Sequence, residues 1–172
     1  MDSIRLAIER ASEHLTEHPE AAKAADSSAR AVLEDGLRFR VEGPWQSLTS
    51  DMAESVGGGA TAPTPGWLLR AALASCDASA VAMEAARAGI ELTDLEVSVD
   101  SESDFRGVLG VDPSVHAGPL SMRVTIRLAA TDATDAELRA IVERAESLSA
   151  VQDALLREVP VTTEIVTGGS SP

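Results

Sequence analysis

The chain has 172 residues and a mass of 17.9 kDa, which suits one domain or one domain with an appendage. Asp and Glu number 28 against 14 Lys and Arg, and the resulting net charge of -14 would repel a phosphate backbone, so no nucleic-acid partner is expected. The apolar content of 44% excludes a disordered chain, and the single cysteine excludes a disulfide framework or a metal site with two thiolates from one chain.

Charged side chains interrupt the apolar positions of the N-terminal segment, which leaves no core for a signal peptide. No apolar run is long enough to cross a bilayer, so no membrane-spanning segment is expected. These patterns predict a cytoplasmic protein with no membrane partner. They give no indication of a metal or a cofactor.

Two helices are predicted at the start of the chain. Apolar residues recur at helical spacing over residues 3–18, and Pro19 marks the end of that helix. The alanine-rich residues 20–34 predict a second, short helix, and Asp35-Gly36 follows as a turn.

Two strands and a loop follow. Apolar and charged residues alternate over 37–41, which predicts a half-buried strand, and residues 45–50 are interpreted as a second strand. Residues 53–63 contain three consecutive glycines and are expected to be flexible.

The longest predicted element is an apolar helix that holds the cysteine. Thr64 suits the N-cap position and Pro65 the first helical position. The pattern continues to about Ala88, and Gly89 suits a C-terminal cap. Cys76 therefore lies about three turns inside this helix.

Two further strands are predicted from alternation, at residues 95–99 and 122–128. The loop between them, residues 102–119, is rich in glycine and proline. It contains Asp104 and Arg106, which we interpret as a carboxylate–guanidinium pair that locks a turn, with a binding role as the alternative.

The C-terminal part is predicted to contain two helical pieces and a strand. Thr134 to Glu137 shows the capping-box pattern and opens the first helix. A second helical piece covers residues 150–157, and alternation over 159–165 predicts a final strand. The Gly/Ser-rich tail, residues 167–172, is expected to be disordered.

The order of these elements predicts an α+β fold, because tandem strands imply antiparallel hairpins rather than a doubly wound sheet. The predicted organisation is an N-terminal helical extension over residues 1–34, a main domain over residues 35–166, and the tail.

Cys76 is the first candidate for chemistry. The apolar residues around it at helical spacing put the thiol on the apolar face of its helix, so a small buried hydrophobe is one reading. A reactive thiol is the other, and it would need a cation from another segment. Arg38 and Arg40 are candidates by residue type alone.

The other candidate motifs favour structural roles. His14 and His18 are spaced for one helix face, but they lack the glutamate of a zinc-binding His-Glu-x-x-His motif. No partner can be assigned to His116, and the triple glycine lacks the lysine of a phosphate-binding loop.

The segment from Thr64 to Cys76, Thr-Pro-Gly-Trp-Leu-Leu-Arg-Ala-Ala-Leu-Ala-Ser-Cys, resembles a helix start of the OsmC/Ohr family. These are the osmotically inducible and organic hydroperoxide resistance proteins. Residues 86–97, the Asp-x-Arg-Gly-x-x-Gly loop and residues 148–161 fit the same family, and the resemblance covers roughly residues 36–166. It implies an OsmC-like α+β fold with antiparallel sheets packed on long central helices, in an intertwined homodimer.

The resemblance also implies a site. Peroxidases of the family use two cysteines, a glutamate and an arginine. Carried over by position, the first cysteine is Cys76, the second is replaced by Ser149, and the glutamate is replaced by Gly66. No local motif places the arginine.

The resemblance therefore implies a stress-related protein with a degenerate site. The expected activity is a weak, thiol-dependent reduction of organic hydroperoxides through Cys76, with an external thiol as reductant and no cofactor. The alternative is a dimer that has lost the peroxidase activity and binds a small apolar ligand.

Overall fold

The computed structural model describes residues 2–168. Five α-helices and five β-strands are found in this part of the chain, with two short 3₁₀ turns at Pro19–Ala22 and Glu54–Val56. The helices are α1 (Asp2–Glu17), α2 (Pro65–Arg87), α3 (Phe105–Val108), α4 (Asp135–Glu146) and α5 (Ala150–Leu156). The strands are β1 (Arg30–Asp35), β2 (Arg38–Glu42), β3 (Ser47–Ser50), β4 (Leu92–Glu102) and β5 (Ser121–Ala130).

The strands form two antiparallel sheets, which confirms the predicted α+β class. One sheet has the order β1-β2-β3, and the other is the long hairpin β4-β5. None of the helices in residues 2–168 combines the length and the hydropathy that crossing a bilayer requires.

The hydrophobic core lies between α2, α4 and the β4-β5 sheet. Its buried members are mostly small or branched aliphatics: Ala80, Val81, Ala85, Leu138, Ile141 and Ala145. Small side chains let the two helices approach each other closely, and the apolar residues of β4 and β5 cover the remaining side. α2 is therefore the element against which the other layers pack.

The capping signals predicted for the long helices are confirmed. Thr64 accepts a hydrogen bond from the backbone of Trp67 at the start of α2, and Pro65 is its first residue. Gly89, just after α2, has a φ of +71°. At α4, the reciprocal capping box between Thr134 and Glu137 is present.

Two predicted elements are wrong. Residues 20–34 do not form a helix beyond the turn at Pro19–Ala22, because Arg30–Asp35 pairs with β2 as strand β1. Most of the alanines precede the strand, and the pairing of Val32 and Leu33 with β2 holds residues 30–35 extended. Residues 159–165 carry no strand, because no strand within residues 2–168 lies beside them to exchange hydrogen bonds.

The predicted boundary between an N-terminal extension (residues 1–34) and the main domain (residues 35–166) stays a prediction. Strand β1, which spans this boundary, pairs with β2 in the first sheet. Of the predicted disordered tail, residues 169–172 lie outside the described residues.

The glycine-rich loop after β3 is held by one carboxylate. Asp51, which is 2% exposed, accepts hydrogen bonds from the backbone of Met52, Gly59 and Thr61 and from the Thr61 hydroxyl, at 2.8 to 3.2 Å. Gly58 is required, because a Cβ there would lie 2.1 Å from the Met52 carbonyl oxygen. The hydrogen bonds from Thr61, first of all, lower the pKa of Asp51 to about 2.

Asp51→Asn is expected to destabilise the folded chain at neutral pH, because the amide cannot accept all four hydrogen bonds. The pKa of Asp51 is about 2 in the folded chain and near the reference value of 3.8 when unfolded, so this contribution is present above about pH 4 and disappears as the pH falls through about 2. The urea unfolding midpoints of the wild type and the variant, compared at pH 7 and at about pH 2, measure this contribution. Asp132→Asn, on an exposed carboxylate, is the control; equal unfolding midpoints for both variants at pH 7 would contradict this role.

Candidate functional site

Cys76 lies in the middle of α2 and its side chain is only partly exposed. Leu73 and Ala80, one turn away on either side, are buried at 3% and 8% exposure. The apolar stripe of the helix therefore faces the core and places the thiol at its margin. At the edge of the buried face, the sulfur can contact another element of the fold and is also accessible to a small molecule from solvent.

The structure brings Ser149 to the thiol. The Ser149 hydroxyl donates a hydrogen bond to the Cys76 sulfur, with an Oγ–Sγ distance of 3.3 Å. Ser149 is 1% exposed and is also the N-cap of α5, where its Oγ accepts from the backbone N–H of Gln152 at 3.3 Å. Because the oxygen is occupied as an acceptor by the helix, its hydrogen is directed to the sulfur, where it can stabilise negative charge.

Gly66 is not part of this contact. It lies in the first turn of α2, ten residues before Cys76, which corresponds to about 15 Å along a helix. A Cβ at Gly66 would lie 4.0 Å from Nη1 of Arg70, one turn further on. Position 66 therefore faces Arg70 and a surface cleft rather than the thiol.

Neither candidate arginine reaches the sulfur. Arg38 hydrogen-bonds Glu34 at 3.1 Å and the Thr61 hydroxyl, and Arg40 pairs with Glu42 at 2.8 Å. Among residues 2–168, Ser149 provides the one hydrogen bond made to Cys76. The thiol is therefore polarised by a neutral hydroxyl and not by a cation of this part of the chain.

Two buried carboxylates on α2 were missed by the sequence reasoning. Glu84, at 6% exposure, pairs with Arg144 at 3.1 Å and with Arg87 at 3.4 Å. Asp77, next to Cys76 and 2% exposed, has no hydrogen-bond partner for either oxygen among the described residues. The signal that could have found them was an acidic residue at a core-facing position of an otherwise apolar helix. Burial of such a carboxylate without a partner costs folding free energy.

The remaining sequence candidates have structural roles. Asp104 caps α3 through the Arg106 backbone N–H at 3.0 Å and pairs with the Arg106 side chain at 2.5 to 3.0 Å, which confirms the predicted lock. The hydrogen bond from Arg106 holds the pKa of Asp104 below its usual value. His116 packs its backbone on Gly107, where a Cβ would lie 2.2 Å from the His116 carbonyl oxygen.

The His14 and His18 rings lie 4.9 Å apart. Glu20 approaches His18, with 3.4 Å between its Oε1 and the His18 Nδ1. Even so, no group of three histidine, cysteine or acidic residues within residues 2–168 could hold a metal ion.

The family of OsmC-like proteins has a sequence model that matches residues 57–164. The matched range contains all of α2, Gly66, Cys76 and Ser149. No curated protein sequence matches the chain.

Solved structures share the fold at low sequence identity. An OsmC-like protein from Mycoplasma pneumoniae is 14% identical with a TM-score of 0.66, over 78% of this chain and 89% of that chain. An organic hydroperoxide resistance protein OsmC from Legionella pneumophila is 22% identical with a TM-score of 0.57, over 77% and 91%. OhrB of Bacillus subtilis, an organic hydroperoxide resistance protein, is 18% identical with a TM-score of 0.51, over 76% and 90%.

Ser149→Cys is expected to form a disulfide with Cys76 on oxidation, because the present 3.3 Å contact needs only a small side-chain rotation to reach S–S bonding distance. Loss of the α5 cap should cost about 1 kcal/mol in stability. Thiol counting and intact mass after mild oxidation measure the bond. Ser147→Cys, two residues away and exposed, is the matched control and should stay reduced. A second thiol at 149 that also stays reduced would mean that the two positions do not meet.

Proposed function

The chain belongs to the OsmC-like protein family, and we propose that it reduces organic hydroperoxides slowly through Cys76, with an external thiol as the reductant. The observation that carries the proposal is the 3.3 Å hydrogen bond from Ser149 to the partly exposed Cys76 sulfur. Two of the structural neighbours are named as organic hydroperoxide resistance proteins. Within this proposal the protein belongs to the oxidative-stress response and works in the cytoplasm, where cellular thiols are kept reduced.

In the proposed first step the Cys76 sulfur attacks one oxygen of the hydroperoxide. A sulfur–oxygen bond forms, the oxygen–oxygen bond breaks, and the departing alkoxide takes a proton and leaves as the alcohol. The sulfur is oxidised by two electrons to a sulfenic acid and the peroxide is reduced by two. The Ser149 hydroxyl stabilises the negative charge on the attacking sulfur.

An external thiol completes the cycle. It attacks the sulfenic sulfur, water leaves, and a mixed disulfide forms on Cys76. A second external thiol attacks the mixed disulfide, returns Cys76 to the thiol and leaves as the oxidised reductant. Because Ser149 cannot form a disulfide, the sulfenic acid persists until an external thiol reaches it, and during that time it can be oxidised further.

Three features make the proposed reaction slow. The described residues place no cation on the sulfur, and none of them donates a hydrogen bond to the buried Asp77 carboxylate beside it in sequence. The position that the family resemblance assigns to a glutamate is Gly66. Without a cation at the sulfur and a carboxylate at position 66, both the binding of substrate and the activation of the thiol are weaker.

Purified protein with cumene hydroperoxide and dithiothreitol is expected to consume peroxide faster than the reductant alone, and Cys76→Ser is expected to abolish that increment. Peroxide loss can be followed colorimetrically. Ser147→Ala is the control: it removes a hydroxyl near α5 that bonds the Arg144 carbonyl oxygen and not Cys76, so the increment should remain. A rate that Cys76→Ser leaves unchanged would refute thiol chemistry at this residue.

The second candidate function is binding of a small apolar ligand without catalysis. The observation that favours it is a cleft of about 590 Å³ at the start of α2, within the size range of small-molecule sites. Cys76 does not line this cleft. A chain that binds a ligand there, yet shows no peroxide consumption dependent on Cys76, would support this alternative.

We also propose that the chain forms a homodimer through α2 and the segment after α5. Trp67 and Met83 of α2 are 50% and 42% exposed, and Val161 and Ile165 are 85% and 81% exposed. Apolar side chains in such numbers on one molecule are typical of an interaction surface. The unpaired segment 159–165 also alternates as a strand does, so a second copy could provide its neighbour.

Ala72→Arg, on the exposed side of α2, is expected to shift the protein from twice the chain mass of 17.9 kDa to the single chain mass, because it places a charge in the proposed interface. Native mass spectrometry reports the masses. Ala21→Arg, on the exposed turn at Pro19–Ala22, is the matched control and should leave the mass unchanged. A wild-type protein with the single chain mass would contradict the proposed dimer.

A further inference from the structure

The cleft at the start of α2 is mostly apolar and open to solvent. Its walls come from the loop after β3, the first two turns of α2, the end of β4, α3 and the segment before β5. The apolar lining includes Met52, Val56, Leu69 and Met122. Phe105, on its rim, is the single aromatic residue of the lining, so the walls suit an aliphatic chain better than a ring that needs a stacking partner.

One cation faces this apolar space. Arg70 lines the cleft and its Nη1 donates a hydrogen bond to the Ser101 hydroxyl at 3.1 Å. No carboxylate of residues 2–168 lies within ion-pair distance of the Arg70 guanidinium, which retains donors for a ligand. A guanidinium with a neutral partner on an apolar wall favours an anion, and its planar fork matches a carboxylate.

The one carboxylate in the lining does not cancel this charge. Asp104 is held by the Arg106 side chain, with contacts of 2.5 to 3.0 Å, and by the Arg106 backbone N–H. Its negative charge is therefore already paired within α3. The Arg70 guanidinium is left as the unbalanced charge of the lining.

Gly66 leaves the space in front of Arg70 open. It lines the cleft, and a Cβ there would lie 4.0 Å from the Arg70 Nη1. An acidic side chain at this position would stand four residues before Arg70 on the same helix face and would pair with it. The glycine thus leaves the guanidinium available to a carboxylate that comes from outside the chain.

We propose that this cleft binds an aliphatic carboxylate, a monomeric fatty acid of medium chain length, with the carboxylate on Arg70 and the chain along the apolar walls. The site lies about 9 Å along α2 from Cys76, because Arg70 is six positions before Cys76 in the helix. This proposal rests on the second candidate function, ligand binding in this cleft, and not on the thiol chemistry, so loss of peroxidase activity leaves it standing.

Calorimetric titration of the full chain with octanoate, below its micellar concentration, tests the site. The expected result is one octanoate per chain, with 1-octanol bound more weakly because its neutral hydroxyl cannot form an ion pair with Arg70. Arg70→Gln should weaken octanoate binding by roughly tenfold or more, as expected for loss of a charge-assisted pair, and should leave 1-octanol unchanged. Arg127→Gln, an exposed arginine of β5, is the matched control and should bind octanoate as the wild type does.

Two further variants keep the result interpretable. Gly66→Glu should abolish octanoate binding by supplying an internal carboxylate to Arg70, and Cys76→Ser should leave it unchanged. Circular dichroism checks that each variant is folded. Absence of octanoate binding, equal affinity for octanoate and 1-octanol, or binding that Arg70→Gln and Gly66→Glu both leave intact would overturn the proposal.

Discussion

Burial of one face of α2 is the constraint on which the rest of this structure depends. The helix packs against α1, α4, α5 and β4, and its buried face includes Leu73, Val81 and Ala85. Full burial of a branched aliphatic such as Val81 contributes about 1.5 to 3 kcal/mol, and small alanines let α4 come close enough to share that burial. The same packing sets the orientation of α2 about its own axis. This orientation determines which of its side chains contact α5 and which line the cleft.

The two proposed sites follow from that orientation and lie at different heights on one helix. In the middle, Cys76 meets the buried hydroxyl of Ser149, which is fixed by its second role as the cap of α5. At the first turns, Gly66 and Arg70 face the apolar cleft. One site offers a polarised sulfur and the other an unbalanced guanidinium, so the first suits redox chemistry and the second suits recognition of an anion.

Local signals in the sequence were sufficient for most of the fold, whereas positions 76 and 149 were linked only by the family resemblance. Caps at Thr64 and Thr134 and the alternation in β4 and β5 act over a few residues, so they can be recognised without tertiary information. Strand β1 was missed because the alanine-rich segment before it favours a helix, and only the pairing with β2 shows that residues 30–35 are extended. That Asp77 finds no hydrogen-bond partner in the described part of the chain could not be foreseen, since the partners of a buried carboxylate depend on every element around it.

The central claim is that Cys76 acts as the nucleophile toward an organic hydroperoxide. The most direct measurement is the intact and peptide mass of the reduced protein after one equivalent of cumene hydroperoxide, with no thiol present. The account predicts the gain of one oxygen atom on Cys76, reversed when dithiothreitol is added. An unmodified Cys76, with oxygen found on methionine or nowhere, would contradict it.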